Sequence, residues 1–168
     1  MNRRSYKATF LFLALAVTFV LLRMFVVHTV RIQGSSMDNT LRDGEIALVT
    51  GFDYRFGGKP ERGDIVECAF PNRSGTYVKR VIGLPGETVE IVPGAVRING
   101  EALEQDVTPA WLSRPHPPIT LGEDEYYVLG DNRRNSRDSR SVGPVRRRDI
   151  TGRAVCILWP LRRIGKIR

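Results

Sequence analysis

Histidine and cysteine are scarce in this 168-residue chain, and both shortages narrow the chemistry available to it. His28 follows an apolar segment and His116 lies in a proline-rich stretch; there is no third histidine. A Ser-His-Asp triad or a histidine-based metal site would depend on one of these two poorly placed residues. Cys68 and Cys156 lie in apolar, strand-like contexts, which favour core thiols over a disulfide. We therefore predict a site without metal or cofactor.

Acidic residues are fewer than basic ones, which leaves a net charge of +8 and a sequence pI of about 10.1. Such an excess favours a polyanionic neighbour, either nucleic acid or an anionic membrane surface. The chain has no zinc-finger spacing and no interleaving of aromatic and basic residues of the RNA-binding kind. We therefore expect contact with membrane lipid and none with nucleic acid.

Long apolar runs are confined to the N-terminal part of the chain. Residues 8–22 are apolar apart from two threonines, and the run continues beyond Arg23. About 20 residues are needed to cross a bilayer, and an arginine near the end of a span can reach the interface. Arg3, Arg4 and Lys7 precede the run, so the pattern predicts a single-pass cell-membrane anchor with a cytoplasmic N-terminus.

A cleavable signal peptide is the alternative interpretation of this segment, because a basic stretch precedes an apolar core. No small-x-small cleavage site follows that core, since residues 23–25 are Arg, Met and Phe. A retained anchor is therefore favoured. The predicted organisation is a basic N-terminus (1–7), a transmembrane anchor (8–30) and an extracytoplasmic domain (31–168).

Short β-branched runs separated by turn signals dominate the chain from residue 34 onward. They predict strands at 45–50, 64–70, 76–82, 88–92, 95–98, 125–129 and 153–158. Asn99 and Gly100 predict a tight hairpin turn, and the proline-rich residues 108–120 predict an exposed connection. The expected fold class is mainly β: a compact antiparallel β domain carried by one N-terminal transmembrane helix.

The stretch GSSMDNTL (34–41) places two serines just beyond the apolar run. A serine is a poor nucleophile unless a base removes its proton. The motifs G-x-S-x-G, S-x-x-K and H-E-x-x-H are absent. The two histidines are poorly placed to act as the base. Lysine remains as the candidate base, provided that burial or a neighbouring cation lowers its usual pKa of about 10.4.

Only one of the four lysines lies inside a strand-like run, Lys79 in TYVKRVIGLPGE. A strand lysine can be buried or can face solvent at a sheet edge, and the strand pattern leaves both possibilities open. The later stretch GDNRRNSRDSR (130–140) is too polar for a core strand and predicts a loop held by its own hydrogen bonds and ion pairs. It is either a charged surface loop or the source of a serine hydroxyl, from Ser136 or Ser139, that orients the lysine amine.

Together these stretches resemble the sequence boxes of the type I signal peptidases, which are membrane-anchored Ser-Lys proteases. SSMDNTL resembles the nucleophile box S-M-x-P-T-L, and RGDIV (62–66) resembles the second box. KRVIGLPGE (79–87) is similar to the lysine box, and GDNRRNSRDSR to the final box. The boxes follow the family's order, and WPLRRIG near the C-terminus is similar to members of the short, Gram-positive-type branch.

The resemblance implies specific roles for residues of this chain. Ser36 corresponds to the nucleophile, Lys79 to the general base and Ser136 to the hydroxyl that orients the amine. The Ser36 N–H corresponds to an oxyanion donor, and Gly34 or Ser35 is a candidate for the second. Residues matching supports of the final box are Asp131, Arg133, Asp138 and Arg140, and candidates to line the substrate pockets are Ile32, Gln33, Tyr77 and Val78.

Two positions depart from the family pattern. Asn39 stands where the family usually has proline, and we expect a tolerable change because asparagine also accepts turn conformations. Gly34 stands where longer members place an oxyanion-hole serine, so a side-chain donor is not expected there.

The resemblance further implies a serine endopeptidase that acts on secretory preproteins. We expect a monomer, although no motif sets the oligomeric state. It would cleave signal peptides after small-x-small sequences through an acyl-enzyme. A repressor-cleaving Ser-Lys protease is one alternative, but it would carry a DNA-binding helix-turn-helix where this chain has its apolar run. A membrane-tethered binding module without catalysis is another, and it leaves the combination of Ser36, Lys79 and the final box unexplained.

Overall fold

The computed structural model describes residues 3–25, 27–71, 73–103 and 115–167. Within these residues the chain forms three α-helices and twelve strands. The helices are α1 (Arg3–Phe25), α2 (Phe52–Arg55) and α3 (Ser139–Val142). The strands are β1 (Val27–Arg31), β2 (Ile46–Thr50), β3 (Ile65–Cys68), β4 (Tyr77–Gly83), β5 (Thr88–Val92), β6 (Ala95–Ile98), β7 (Glu101–Ala102), β8 (His116–Thr120), β9 (Glu125–Leu129), β10 (Val145–Arg146), β11 (Ile150–Trp159) and β12 (Gly165–Lys166). The predicted mainly β class is confirmed.

The described strands form two antiparallel sheets. The larger sheet has the order β1-β2-β11-β3-β4-β9-β10, with β12 also paired to β11, and the smaller has the order β7-β6-β5-β8. Successive side chains of a strand point in opposite directions. Consecutive residues of β4 and β9 are buried, so both faces of these strands are covered. Val81 and Val128 pack into one apolar cluster, whereas Ile82 and Leu129 pack against the smaller sheet. The strand that carries Lys79 is therefore fixed from both sides.

The hairpin predicted at Asn99 and Gly100 is present. Ile98 pairs with Glu101, so β6 and β7 are joined by a two-residue turn. Both turn residues have positive φ, 53° for Asn99 and 88° for Gly100. This is the geometry in which a type I′ turn matches the twist of its strands.

The predicted anchor, residues 8–30, is wrong at its C-terminal bound. Helix α1 ends at Phe25, and Val27–Arg31 forms β1, which pairs with β2 from Val27 opposite Thr50 to Arg31 opposite Ile46. The β-branched residues of this segment favour a strand once a partner edge is available. Across the residues that the structure describes, no helix combines the length and the apolar character needed to cross a membrane.

The predicted exposed connection at 108–120 is wrong over its last residues, while 108–114 lie outside the described residues. His116–Thr120 forms β8, which pairs with β5 at the edge of the smaller sheet. Proline cannot donate a ladder hydrogen bond, and the backbone nitrogens of adjacent residues point to opposite sides of a strand. Pro117 and Pro118 are accommodated because β8 is an edge strand and its register with β5 shifts between Val89 and Ile91. Cys68 is buried and Cys156 half-buried, and both are free thiols.

Candidate active site

Ser36 lies in a closed loop between β1 and β2. The base of this loop is fastened by two backbone hydrogen bonds, from Ile32 N–H to Glu45 O (2.8 Å) and from Gly44 N–H to Ile32 O (2.9 Å). Met37 and Leu41 are fully buried in the apolar core. The loop is thus held by the side chains that flank the serine, and Ser36 itself stays half-buried at the surface.

Lys79 lies on β4 with its amine against this serine. Its Nζ is 2.8 Å from Ser36 Oγ and 2.9 Å from Val78 O, and the residue is 2% exposed. Burial lowers the pKa of the Lys79 amine, because the charged form loses its hydration. Cys68, Asp138 and Asp131 act in the opposite direction without reversing it. Burial therefore moves the amine toward the neutral form that a base requires.

Arg80, the residue after Lys79, neutralises one of the two nearby carboxylates. Its Nε and Nη2 donate to the two oxygens of Asp131 at 2.9 and 2.8 Å, and both side chains are buried. Thr40 Oγ1 donates to the same carboxylate at 2.5 Å, which connects the serine loop to this ion pair. A carboxylate held in this way contributes less to keeping the Lys79 proton.

Asp138 is held in the same manner by Arg140, whose Nε and Nη2 each lie 2.7 Å from a carboxylate oxygen. Asp138 also accepts from Gly130 N–H at 3.0 Å. Arg140 Nη1 donates to Arg133 O at 2.7 Å, and Arg133 Nε donates to Gly130 O at 3.1 Å. All four residues that the sequence suggested as supports therefore make contacts that fix the loop at 130–140.

Two asparagines join that loop to the serine loop, and the sequence analysis did not single them out. Asn132 donates from its backbone N–H to Ser36 O at 3.1 Å and from Nδ2 to Ser35 O at 3.0 Å. Asn135 Nδ2 donates to Ser35 Oγ at 2.7 Å. The hydroxyl of Ser35 is thus occupied by an amide, whereas that of Ser36 faces the lysine.

The hydrogen bond predicted from Ser136 to the Lys79 amine is not made in this structure. Ser136 Oγ is buried without a hydrogen-bond partner in the described part of the chain. The polar neighbours of Lys79 Nζ are instead Ser36 Oγ and the Val78 carbonyl. A Cβ built on Gly130 would lie 2.1 Å from Ser136 Oγ and 2.5 Å from Ser36 O, so this hydroxyl lies close to the serine loop.

The candidate oxyanion donors differ in whether their N–H groups are already hydrogen-bonded. Gly34 N–H donates to Asp43 Oδ1 at 2.8 Å, so it is already engaged and is a poor second donor. The N–H groups of Ser35 and Ser36 have no acceptor among the described residues. Of the two candidates for the second donor, Ser35 is therefore the one left available by the geometry.

Asn39 adopts a φ of 91°, which proline cannot reach because its ring fixes φ near −65°. A proline at this position could not adopt the backbone conformation that Asn39 has here. The replacement of the family's proline therefore does more than remove a restriction on φ. Asparagine is one of the few non-glycine residues that enter this region of φ.

A groove with a volume of about 570 Å³ opens beside Ser36 and Lys79. Its walls come from the last part of β1 with the residues that follow, and from the start of β4. The four residues suggested as pocket candidates all line it: Ile32, Gln33, Tyr77 and Val78. Strand β4 pairs with β9 only from Arg80 onward, so among the described residues its first three residues pair with β3 alone and leave their other edge free.

The comparisons with known proteins agree with this arrangement. The model of the family "Signal peptidase, peptidase S26" matches residues 3–159. A signal peptidase I of Leptolyngbya laminosa is 38% identical over 154 residues, which are 87% of this chain and 75% of the relative. The signal peptidase I of Bacillus licheniformis is 34% identical over 158 residues, covering 88% and 84%.

The chain belongs to the signal peptidase family. A crystal structure of a signal peptidase I from Enterococcus faecalis matches with a TM-score of 0.52 and 34% identity, covering 57% of this chain and 97% of that one. The chain is thus a serine peptidase, a signal peptidase I, with the mainly β fold of that structure.

The C-terminal part of this signal peptidase also reaches the serine loop, through contacts that no sequence motif indicated. Arg163 Nη2 donates to Thr40 O at 2.9 Å, and Arg163 Nε lies 2.9 Å from the buried Glu45 carboxylate. Glu45 also accepts from Arg42 N–H at 3.0 Å. Arg163 follows the segment that the family model matches, and its partners are more than 100 residues earlier.

The close approach at Gly130 yields a first prediction. A Cβ added at Gly130 would lie 2.1 Å from Ser136 Oγ and 2.5 Å from Ser36 O, and the second atom is backbone. We expect Gly130→Ala to displace Ser36 and to lower kcat/KM roughly 100-fold, since a misplacement of about 1 Å has that effect. Gly165→Ala is the matched control, because nothing lies within 4 Å of its added Cβ. Unchanged cleavage by Gly130→Ala would contradict this packing.

The burial of Lys79 yields a second prediction, on stability. Because the folded pKa is lowered, the unfolded chain binds more protons between the folded and the unfolded pKa. The lysine therefore costs stability in full below the folded pKa, and this cost disappears as the pH rises toward about 10.4. We expect Lys79→Met to unfold at higher urea concentration than wild type at pH 7. The gain should be about 1.4 kcal/mol per unit by which the pKa is lowered, and it should vanish as the pH approaches 10.4.

Lys166→Met is the control for this experiment, because it makes the same side-chain change at an exposed position. The measurement is the free energy of unfolding at pH 7, 8.5 and 10. A Lys79→Met variant that is less stable at pH 7, with a difference independent of pH, would show that the amine is charged and favourably paired in the fold.

Proposed function

We propose that this signal peptidase removes signal peptides from secretory preproteins by a Ser36–Lys79 dyad, cutting after small-x-small sequences. The observation that carries the proposal is the 2.8 Å separation of Lys79 Nζ and Ser36 Oγ at a buried amine. A buried lysine with lowered pKa beside a serine hydroxyl has the arrangement of an activated nucleophile and its base. No metal or cofactor is needed for this chemistry.

The proposed reaction proceeds through an acyl-enzyme. Neutral Lys79 takes the proton from Ser36 Oγ as the oxygen attacks the scissile carbonyl carbon. The oxyanion is stabilised by the Ser36 N–H and, as second donor, by the Ser35 N–H. Lys79 then passes the proton to the leaving amine. In the second half, Lys79 takes a proton from water as the water oxygen attacks the ester carbon. Lys79 then gives this proton to Ser36 Oγ as the ester C–O bond breaks, which releases the cleaved peptide and restores the neutral amine.

The substrate is proposed to bind as an extended strand in the groove. The free edge of β4 at Tyr77 and Val78 offers backbone groups to such a strand. Alternate residues of an extended peptide point the same way, so the first and third residues before the cut face the protein together. Ile32 and Val78 belong to the adjoining apolar cluster and suit small apolar side chains there.

Membrane attachment through α1 is also proposed, with the N-terminus cytoplasmic and the β domain on the outer face. The support is that α1 leaves large apolar side chains uncovered, among them Phe10 and Phe12, each 73% exposed. Basic residues precede the run, as they do in cytoplasmic segments. Attachment would raise the effective concentration of membrane-bound preproteins at the site. We propose that the enzyme acts as a monomer, in contact with lipid and not with nucleic acid.

The dyad predicts a clear order among three variants in preprotein cleavage. Ser36→Ala and Lys79→Ala should each lower kcat on the order of 10³-fold or more, as loss of a nucleophile or its base does elsewhere. Ser35→Ala should be far milder, because its hydroxyl accepts from Asn135 and does not face the amine. Cleavage should be followed in detergent by gel and the new N-terminus sequenced. An inactive Ser35→Ala with an active Ser36→Ala would transfer the nucleophile to Ser35.

A further inference from the structure

The charge of the groove is unbalanced. Arg31 and Lys79 are its only basic lining residues within the described chain, and no carboxylate lines it. Lys79 is buried with a lowered pKa, whereas an arginine stays charged at any working pH. Arg31 is exposed and makes no ion pair or side-chain hydrogen bond among the described residues. Arg31 is therefore the fixed positive charge of the groove, and its guanidinium is available to a ligand.

The alternation of side chains places Arg31 on a defined side of the groove. Val30 and Ile32 pack into the apolar cluster beneath the serine loop. Thr29, Arg31 and Gln33 are exposed and point the opposite way. A peptide strand beside this segment has side chains on the same two sides.

One side of a bound peptide would then face the apolar pockets, and the other side would face Arg31. If the first and third residues before the cut face the apolar pockets, the second and fourth residues lie on the side of Arg31. Opposite charges on neighbouring strands attract, and like charges repel. The groove thus distinguishes substrates by the charge of residues that do not enter the pockets.

We propose that Arg31 is a specificity-determining residue that favours an acidic and disfavours a basic side chain at the second or fourth position before the cleaved bond. This inference rests on the proposed function, and it extends that function to the charge of the preferred signal peptides. Exposed charge pairs are weak, so the expected discrimination between acidic and basic peptides is roughly 3–10-fold in kcat/KM. Salt screens such pairs, and the discrimination should shrink at high ionic strength.

The test uses the full chain in detergent and two sets of peptides with small residues at the first and third positions. One set carries Asp, Ser or Lys at the second position, and the other carries them at the fourth. We expect wild type to prefer Asp over Ser over Lys in at least one set, Arg31→Gln to lose the preference and Arg31→Glu to reverse it. Arg148→Glu, an exposed arginine outside the groove, makes the same change in net charge and should keep the wild-type order.

The outcomes separate this inference from the proposed function. Two results would overturn the role of Arg31 and leave the proposed dyad unaffected. In the first, wild type cleaves the Ser peptides but shows no charge preference in either set. In the second, the ratio of kcat/KM for the Asp and Lys peptides is the same in wild type and in Arg31→Glu. A reversal by Arg148→Glu also overturns it, because the effect would then come from net charge. Failure of wild type to cleave any of the peptides would overturn the proposed function, and the inference with it.

Discussion

The contact between the Lys79 amine and the Ser36 hydroxyl depends on a lysine that is buried beside two carboxylates and yet is not paired with either. Each carboxylate is held by an arginine, Asp131 by Arg80 and Asp138 by Arg140. These bidentate pairs satisfy the oxygens that would otherwise stabilise a charged amine. The burial of Lys79 then lowers its pKa, with the ion pairs limiting the opposing effect.

The surrounding structure holds the two groups of the proposed dyad in a fixed position. Lys79 is carried by a strand packed on both faces, and Ser36 by a loop held at several points. Asn132 and Thr40 join that loop to the segment at 130–140, and Arg163 fastens it from the C-terminal side. Gly130 allows the two segments to approach more closely than any side chain would permit. Rigidity of this kind suits a site in which small displacements are costly.

Residues with a strong local pattern were predictable from the sequence, whereas contacts between distant segments were not. The hairpin at Asn99 and Gly100 follows from turn chemistry alone. The juxtaposition of Ser36 and Lys79 was suggested only by the order of the sequence boxes, since nothing local in either segment specifies a partner 43 residues away. Asn132 belongs to the final box, but its hydrogen-bond acceptors are the backbone carbonyls of Ser35 and Ser36. Contacts to backbone atoms cannot be predicted from residue types.

The errors have physical causes of the same kind. The strand β1 was assigned to the helix because its apolar residues continue the run, and its true state depends on the free edge of β2. The strand β8 is not evident from the sequence because its prolines fit only an edge strand with a shift in register. The hydrogen bond expected from Ser136 rested on the resemblance alone, because no local pattern in the sequence fixes a contact between Ser136 and Lys79.

The most direct test of the account is an NMR titration of the lysine amines. The chain has only four lysines, so the ¹⁵N-labelled amine of Lys79 can be assigned by comparison with Lys79→Met. We predict that Lys79 titrates clearly below the usual lysine value of about 10.4. A Lys79 amine that stays protonated up to that value would contradict the buried neutral base on which the proposed mechanism depends.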